Sequence, residues 1–183
     1  FSTTAVAFFG VYYKLQNFLF MPMNGLGQGS LPIVGYNYGA KDMERVKQTS
    51  KMAIATGALI GAVGTIVFLI IPEYLLQLFA ASAEMTDMGV SALRIISITF
   101  ILAAVTMITG YIISGLGNGT VNMIAAALRQ IILLIPCVFI LGTVGGISMV
   151  WFAFWISEAG ALIYSVFQIR KYFSKLDVHV VHP

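Results

Sequence analysis

Glu158 is the only charged residue in the stretch 147–169, a run of otherwise uncharged, mostly apolar residues. An ionisable group placed deep in such a run costs about 2.5–3.5 kcal/mol to insert into a bilayer, so it marks a functional position by default. Two chemistries fit it: reversible binding of a proton or metal cation, or a structural hydrogen bond to a neighbouring helix. Both require the side chain to point into a helical bundle, because exposure to lipid would impose the full cost. A second polar group, Lys14, Gln16 and Asn17, interrupts an aromatic stretch. Its members suit the outer mouth of a cavity, with snorkelling an equal reading for Lys14. Gln28 and Asn37 add amides further along the same segment, and Arg129 lies one to two turns inside its own apolar run, where it snorkels or pairs. The rest of the reactive inventory is poor. Cys137 is the single cysteine, His179 and His182 have no third metal ligand nearby, and no Ser/His/Asp arrangement shares one depth. Neither an enzyme nor a cofactor or metal site is expected.

These side chains need elements to hold them, and the hydropathy supplies helices. The chain of 183 residues is 59% hydrophobic and 9% charged, against roughly 25% charged for soluble domains. Its charges fall between long uncharged runs. A bilayer core takes about 20 apolar residues per helix, and only helices satisfy their own backbone there. The expectation is an all-α integral membrane protein, a polytopic bundle of about five transmembrane helices. They cover roughly 4–38, 49–71, 92–115, 121–141 and 147–169, with breaks at Pro72, Gly117 and Gly142. Residues 1–169 form the bundle and 170–183 a cytoplasmic tail. Lys41, Arg45, Lys47 and Lys51 in one gap, with Arg170, Lys171 and Lys175 in the tail, mark the cytoplasmic side, whereas Glu73, Glu84 and Asp87 face outward. The N-terminus of the segment then lies outside and the C-terminus inside a plasma (inner) membrane. The net charge of +3 is too small and too scattered for a nucleic-acid face. The chain opens at Phe1 without Met, so a piece of a longer protein is expected. Ala53, Gly57, Gly61 and Thr65 recur every fourth residue, a ridge for close helix approach. Trp151 and Trp155 suit an interfacial belt.

The first span departs most from a generic membrane helix. It contains Pro22, Gly25, Gly27, Gly29, Pro32 and Gly35, and is too long for one straight crossing, so it is expected to be kinked or locally unwound. It should end near Gly39 in the left-handed conformation, with Asn37 bonding free backbone or capping the next helix. Discontinuous helices are where secondary transporters bind substrates and ions, and a bent packing helix fits equally. The glycine strings at 25–30 and 115–120 follow no strand and precede no Gly-Lys-Ser/Thr, so they are not phosphate loops.

The string Pro32-Ile33-Val34-Gly35-Tyr36-Asn37-Tyr38-Gly39-Ala40, with Gly25-Leu26 and Lys14-Leu15-Gln16-Asn17-Phe18 before it and the basic turn with Arg45 after it, resembles the multidrug and toxic compound extrusion (MATE) family. Arg129 with Pro136, and Trp155-Ile156-Ser157-Glu158, resemble later parts of the same pattern. The resemblance implies a twelve-helix transporter of two six-helix lobes, of which this chain is the C-terminal lobe from its second helix onward. It implies a secondary antiporter that exports amphipathic or cationic drugs and toxic compounds in exchange for Na⁺ or H⁺. Its partners are then the small-molecule substrate, the coupling cation, the lipid bilayer and the remaining N-terminal lobe. Family coupling carboxylates lie in the N-terminal lobe or on the first and fourth helices of the C-terminal lobe, and the expected fourth helix, 92–115, has no Asp or Glu. Glu158, Lys14, Gln16, Asn17, Gln28 and Asn37 are therefore the pathway candidates, and Pro22, Gly25, Pro32, Gly35 and Gly39 the helix-break motif. Two rivals stand beside this reading. A flippase of lipid-linked precursors would have a basic central cavity, and a non-transporting membrane subunit would have a closed, dry interior.

Overall fold

The structure, a computed structural model, describes residues 3–181, with side chains described through residue 174. His182 lies outside the described residues, as do the side chains of Lys175 and His179. All regular structure among the described residues is helical: α1 (Thr3–Gly39), α2 (Met43–Ile70), the short α3 (Pro72–Gln77), α4 (Ala83–Ser97), α5 (Phe100–Gly115), α6 (Gly119–Ala127), a π-helical turn (Leu128–Leu133), α7 (Leu134–Val150) and α8 (Ala153–Val181). These helices cover the five expected stretches, counting α4 with α5 and α6 with α7. By length and composition α2 and the stretch from α6 to α7 can each cross a membrane, and α4 with α5, bent by 48°, forms a third. The polar residues of α1 and α8, Glu158 among them, dilute their hydropathy below that mark.

One face of α1 carries Ala5, Phe8, Tyr12 and Leu15, then Met23, Gly27, Ser30 and Val34, all buried and at three- and four-residue spacing within each set. That face packs on α2 and α5, and α5 is the central post, touching α1, α2, α6 and α8. Close approach relies on glycine. A Cβ on Gly61 would stand 2.9 Å from the Phe100 carbonyl and 3.0 Å from Ile101 Cα, and one on Gly115 would stand 2.8 Å from the Leu31 carbonyl. The expected ridge on α2 thus meets α5, and at its end Thr65 Oγ1 donates to the carbonyl of Ser97, the last residue of α4, at 2.7 Å. By contrast α7 and the π turn before it point Ile131, Ile135 and Phe139 outward, each at least 60% exposed, as a lipid-facing helix does.

Several boundaries differ from expectation. α1 runs unbroken through Pro22 and Pro32, so no unwound segment is present. Each proline forfeits one hydrogen bond, which favours a bend without ending the helix, and both rings lie on the exposed face. The left-handed residue after α1 is Lys41 (φ 61°), not Gly39: the helix stops at Gly39 as expected, but the chain reverses two residues later. Asn37 Nδ2 donates to the Ile33 carbonyl at 2.7 Å, while Asp42 caps α2 by accepting from the Arg45 amide at 3.0 Å. The break expected at Gly142 occurs at Gly146, whose φ of 67° interrupts α7. The third pass begins at Ala83, so it includes Glu84 and Asp87, both exposed near its start. Trp151 is not an interfacial residue: it is 2% exposed and packs edge-on against Phe8 at 5.2 Å. Trp155 Nε1 donates to the Ile95 carbonyl at 2.8 Å.

Candidate functional site

Glu158 falls in the second turn of α8, nearer its start than the middle expected from sequence. Its orientation follows from spacing. Ala153, Ser157, Ala161 and Ser165 are buried every fourth residue, and Phe154 and Glu158 continue the same face, which packs on α5 and the π turn. Across from it, Val121, Ala125 and Arg129 follow one another at four-residue steps and carry the guanidinium to the same depth. The helix then widens into a π turn over Leu128–Leu133, a geometry that recurs at functional positions.

Arg129 Nη1 stands 3.7 Å from Glu158 Oε1, with the two side chains 15% and 7% exposed. The pair is a charge contact and not a formed hydrogen bond, for which about 2.7–2.9 Å is usual. The guanidinium also lies over the Phe20 ring, 5.8 Å from its centre. Polar atoms here remain unpaired: Glu158 Oε2, Arg129 Nη1, and the hydroxyls of Tyr12, Thr106 and Ser165 are buried without a hydrogen-bond partner. Such orphans are costly in a dry interior and recur where a ligand, ion or water completes a site.

Two small cavities adjoin Arg129. One, about 10 Å³, is lined by Tyr13, Gln16, Gln130, Ser157 and Glu158 among others. The other, about 170 Å³, is lined by Asn24, Thr106, Met107, Tyr111, Asn122 and Arg129, with Ala125 and Ala126. Tyr111 donates its hydroxyl to Asn24 Oδ1 at 3.0 Å, tying α5 to α1 along one wall.

Of the sequence candidates, Gln16 and Glu158 are brought together at the smaller cavity. Lys14, Asn17, Gln28, Pro22, Gly25 and Pro32 are exposed on α1 and line neither cavity. Lys14 Nζ is over the Phe79 ring at 5.8 Å, and Asn37, at the far end of α1, is buried against its own helix. Gly35 approaches the Gly115 carbonyl, and Gly39 ends the helix. Sequence reasoning left Arg129 between snorkelling and pairing and did not find Tyr12, Asn24, Thr106, Tyr111 or Asn122. The four-residue steps from Val121 were the available signal for Arg129. The Asn24–Tyr111 contact joins helices far apart in sequence and has no local signal.

The family profile described as MatE matches residues 1–140. The chain belongs to the MatE family. Among its relatives is the multidrug export protein MepA of Staphylococcus haemolyticus, 26% identical over 176 residues that cover 95% of this chain and 38% of that protein. MepA of Staphylococcus saprophyticus is 25% identical over 148 residues, covering 80% and 32%. The MATE multidrug transporter DinF-BH, solved as a ligand complex, aligns with a TM-score of 0.81 at 34% identity, over 89% of this chain and 36% of that one. An inward-facing multidrug resistance MATE transporter of the MOP superfamily aligns with a TM-score of 0.87 at 21% identity, over 94% and 40%. The latter likeness is one of fold, and the fold is that of an all-α membrane protein, as expected. The chain spans 38% of the first of these curated relatives, so its length corresponds to well under half of a MatE protein.

Proposed function

We propose that this chain is part of the C-terminal lobe of a multidrug exporter, contributing one wall of a cavity whose other wall is a matching N-terminal lobe. The exporter moves amphipathic or cationic drugs out of the cell in exchange for Na⁺ or H⁺, by rocking one lobe against the other. The observation that carries this reading is a carboxylate, Glu158, held inside a MatE-family bundle with an unpaired oxygen and an arginine at 3.7 Å. A purely structural pair would be expected to close to hydrogen-bond distance and leave no orphan atoms. The exposed stripe of α1 carrying Lys14, Asn17, Gly25, Gln28 and Pro32 is the face assigned to the substrate pathway. Basic residues at the α1–α2 turn and in the tail support a cytoplasmic position for that end of the bundle in a plasma-membrane protein. The flippase reading calls for a basic central cavity, and Arg129 is the one basic residue among the described residues that line the two small cavities. Polar cavities in the interior argue against a dry anchoring subunit.

The test is gradient-driven transport by the full-length protein in proteoliposomes, with rhodamine 6G as probe. Dye movement should require an imposed Na⁺ or pH gradient and should stop when an ionophore dissipates it. Movement indifferent to both gradients, or none at all, would contradict antiport.

A further inference from the structure

We infer that the cavity of about 170 Å³ between α1, α5 and α6 is an anion subsite that receives the carboxylate of an amphiphilic ligand. The inference rests on the export reading and adds the chemistry of one substrate group to it. The lining is rich in hydrogen-bond donors. A guanidinium has five donors, and the Arg129 side chain, whose Nη1 faces Glu158 at 3.7 Å, lines this cavity as well and makes no hydrogen bond among the described residues. Thr106 is 4% exposed, and its hydroxyl, likewise unpartnered, lines the same space. Asn24 engages its amide oxygen with Tyr111, and the Asn122 amide lines the cavity without a hydrogen bond to another described residue. Gly110 leaves room for that amide, since a Cβ there would collide with Asn122 Oδ1. No carboxylate lines this cavity, because Glu158 lines the smaller one on the other side of Arg129.

A surplus of converging donors selects a ligand group that only accepts. A carboxylate fits best, because its two oxygens match the planar fork of a guanidinium. Size sets the rest of the assignment. Pockets that enclose a whole drug-sized molecule run to about 300–1,000 Å³, so this space takes the acidic group alone and leaves the remainder of the ligand outside. Met107, Ala125 and Ala126 give that neighbouring part an apolar border.

The experiment uses the full-length protein and two dyes that differ in one group: rhodamine 110, a free carboxylic acid, and rhodamine 123, its methyl ester. Affinities are read by fluorescence polarisation in detergent for wild type, Thr106→Val and Arg129→Lys. Thr106→Val keeps shape and removes one donor, while Arg129→Lys keeps the charge opposite Glu158 and removes the fork. Each variant should shift the affinity ratio against rhodamine 110 by about tenfold, the cost of one charge-assisted hydrogen bond. An unchanged ratio in both variants would mean that water alone fills the cavity and would overturn the subsite. Wild type that binds rhodamine 123 but not rhodamine 110 would overturn the subsite while leaving the export reading intact. Wild type that binds neither would overturn both.

Discussion

Replacing Arg129 by Met in the full-length protein is expected to cost about 3–5 kcal/mol of stability, and adding Glu158→Gln to the same protein is expected to recover most of that loss. The asymmetry follows from what Arg129 does for its partner. Glu158 Oε1 has the guanidinium 3.7 Å away and Oε2 has no partner, so removing the guanidinium leaves an ionised carboxyl with no compensation in the bundle interior. Neutralising both charges removes the penalty instead of transferring it, which is why breaking a buried pair costs more than deleting it. Thermal unfolding of detergent-solubilised protein, followed by loss of the monodisperse peak, reads the difference. If single and double variants both unfold with wild type, the pair is solvated in the assembled protein and is not the buried centre described above.

The second large effect is steric. Gly61→Leu should lower stability by about 3 kcal/mol or more and reduce folded yield, because its side chain would enter the backbone of α5. The nearest atoms are the Phe100 carbonyl at 2.9 Å and Ile101 Cα at 3.0 Å, and neither can turn aside as a side chain can. Gly10→Ala is the matched control. Nothing lies within 4 Å of a Cβ at that position, so the change should be neutral or stabilise α1 by about 0.5–1 kcal/mol. Equal losses from the two substitutions would mean that helix propensity, and not the α2–α5 approach, sets the tolerance for side chains here.

Much of this arrangement was legible in the residues. Uncharged runs located the passes because lipid leaves the backbone few alternatives to a helix, and the four-residue spacing of Ala53, Gly57, Gly61 and Thr65 marked the face that meets α5. The string from Pro32 to Ala40 pointed to the family. Other features depend on geometry that no local pattern carries. Whether a proline unwinds or only bends its helix depends on where the freed carbonyl points, and Pro22 and Pro32 are accommodated within α1. The reversal after α1 uses Lys41 although Gly39 is at hand, because the amide of Asp42 returns to the Asn37 carbonyl at 2.9 Å and sets the turn beyond the glycine. Trp151 is core because the chain turns at Gly146, four residues later than Gly142, which draws the indole inward over Phe8 and Phe9. Glu158 was expected to face the bundle, and it does. Its meeting with Arg129 was less accessible, since it joins two helices about thirty residues apart in sequence and depends on how α8 packs on the π turn, which no local pattern carries.

Glu158 is the group proposed to link ion movement to transport. Around it stand Tyr12 and Tyr13 from α1 and Arg129 from the π turn, the titratable or charged side chains nearest its carboxyl. The direct measurement is initial-rate rhodamine 6G transport by full-length Glu158→Gln in proteoliposomes, across imposed pH and Na⁺ gradients, at matched levels of folded protein. Glutamine keeps the shape and the hydrogen-bonding oxygen but can neither titrate nor carry charge. The predicted result is a folded protein whose dye transport no longer responds to the gradient that drives wild type. Gradient dependence equal to that of wild type would contradict the assignment and reduce Glu158 to a structural charge partner of Arg129.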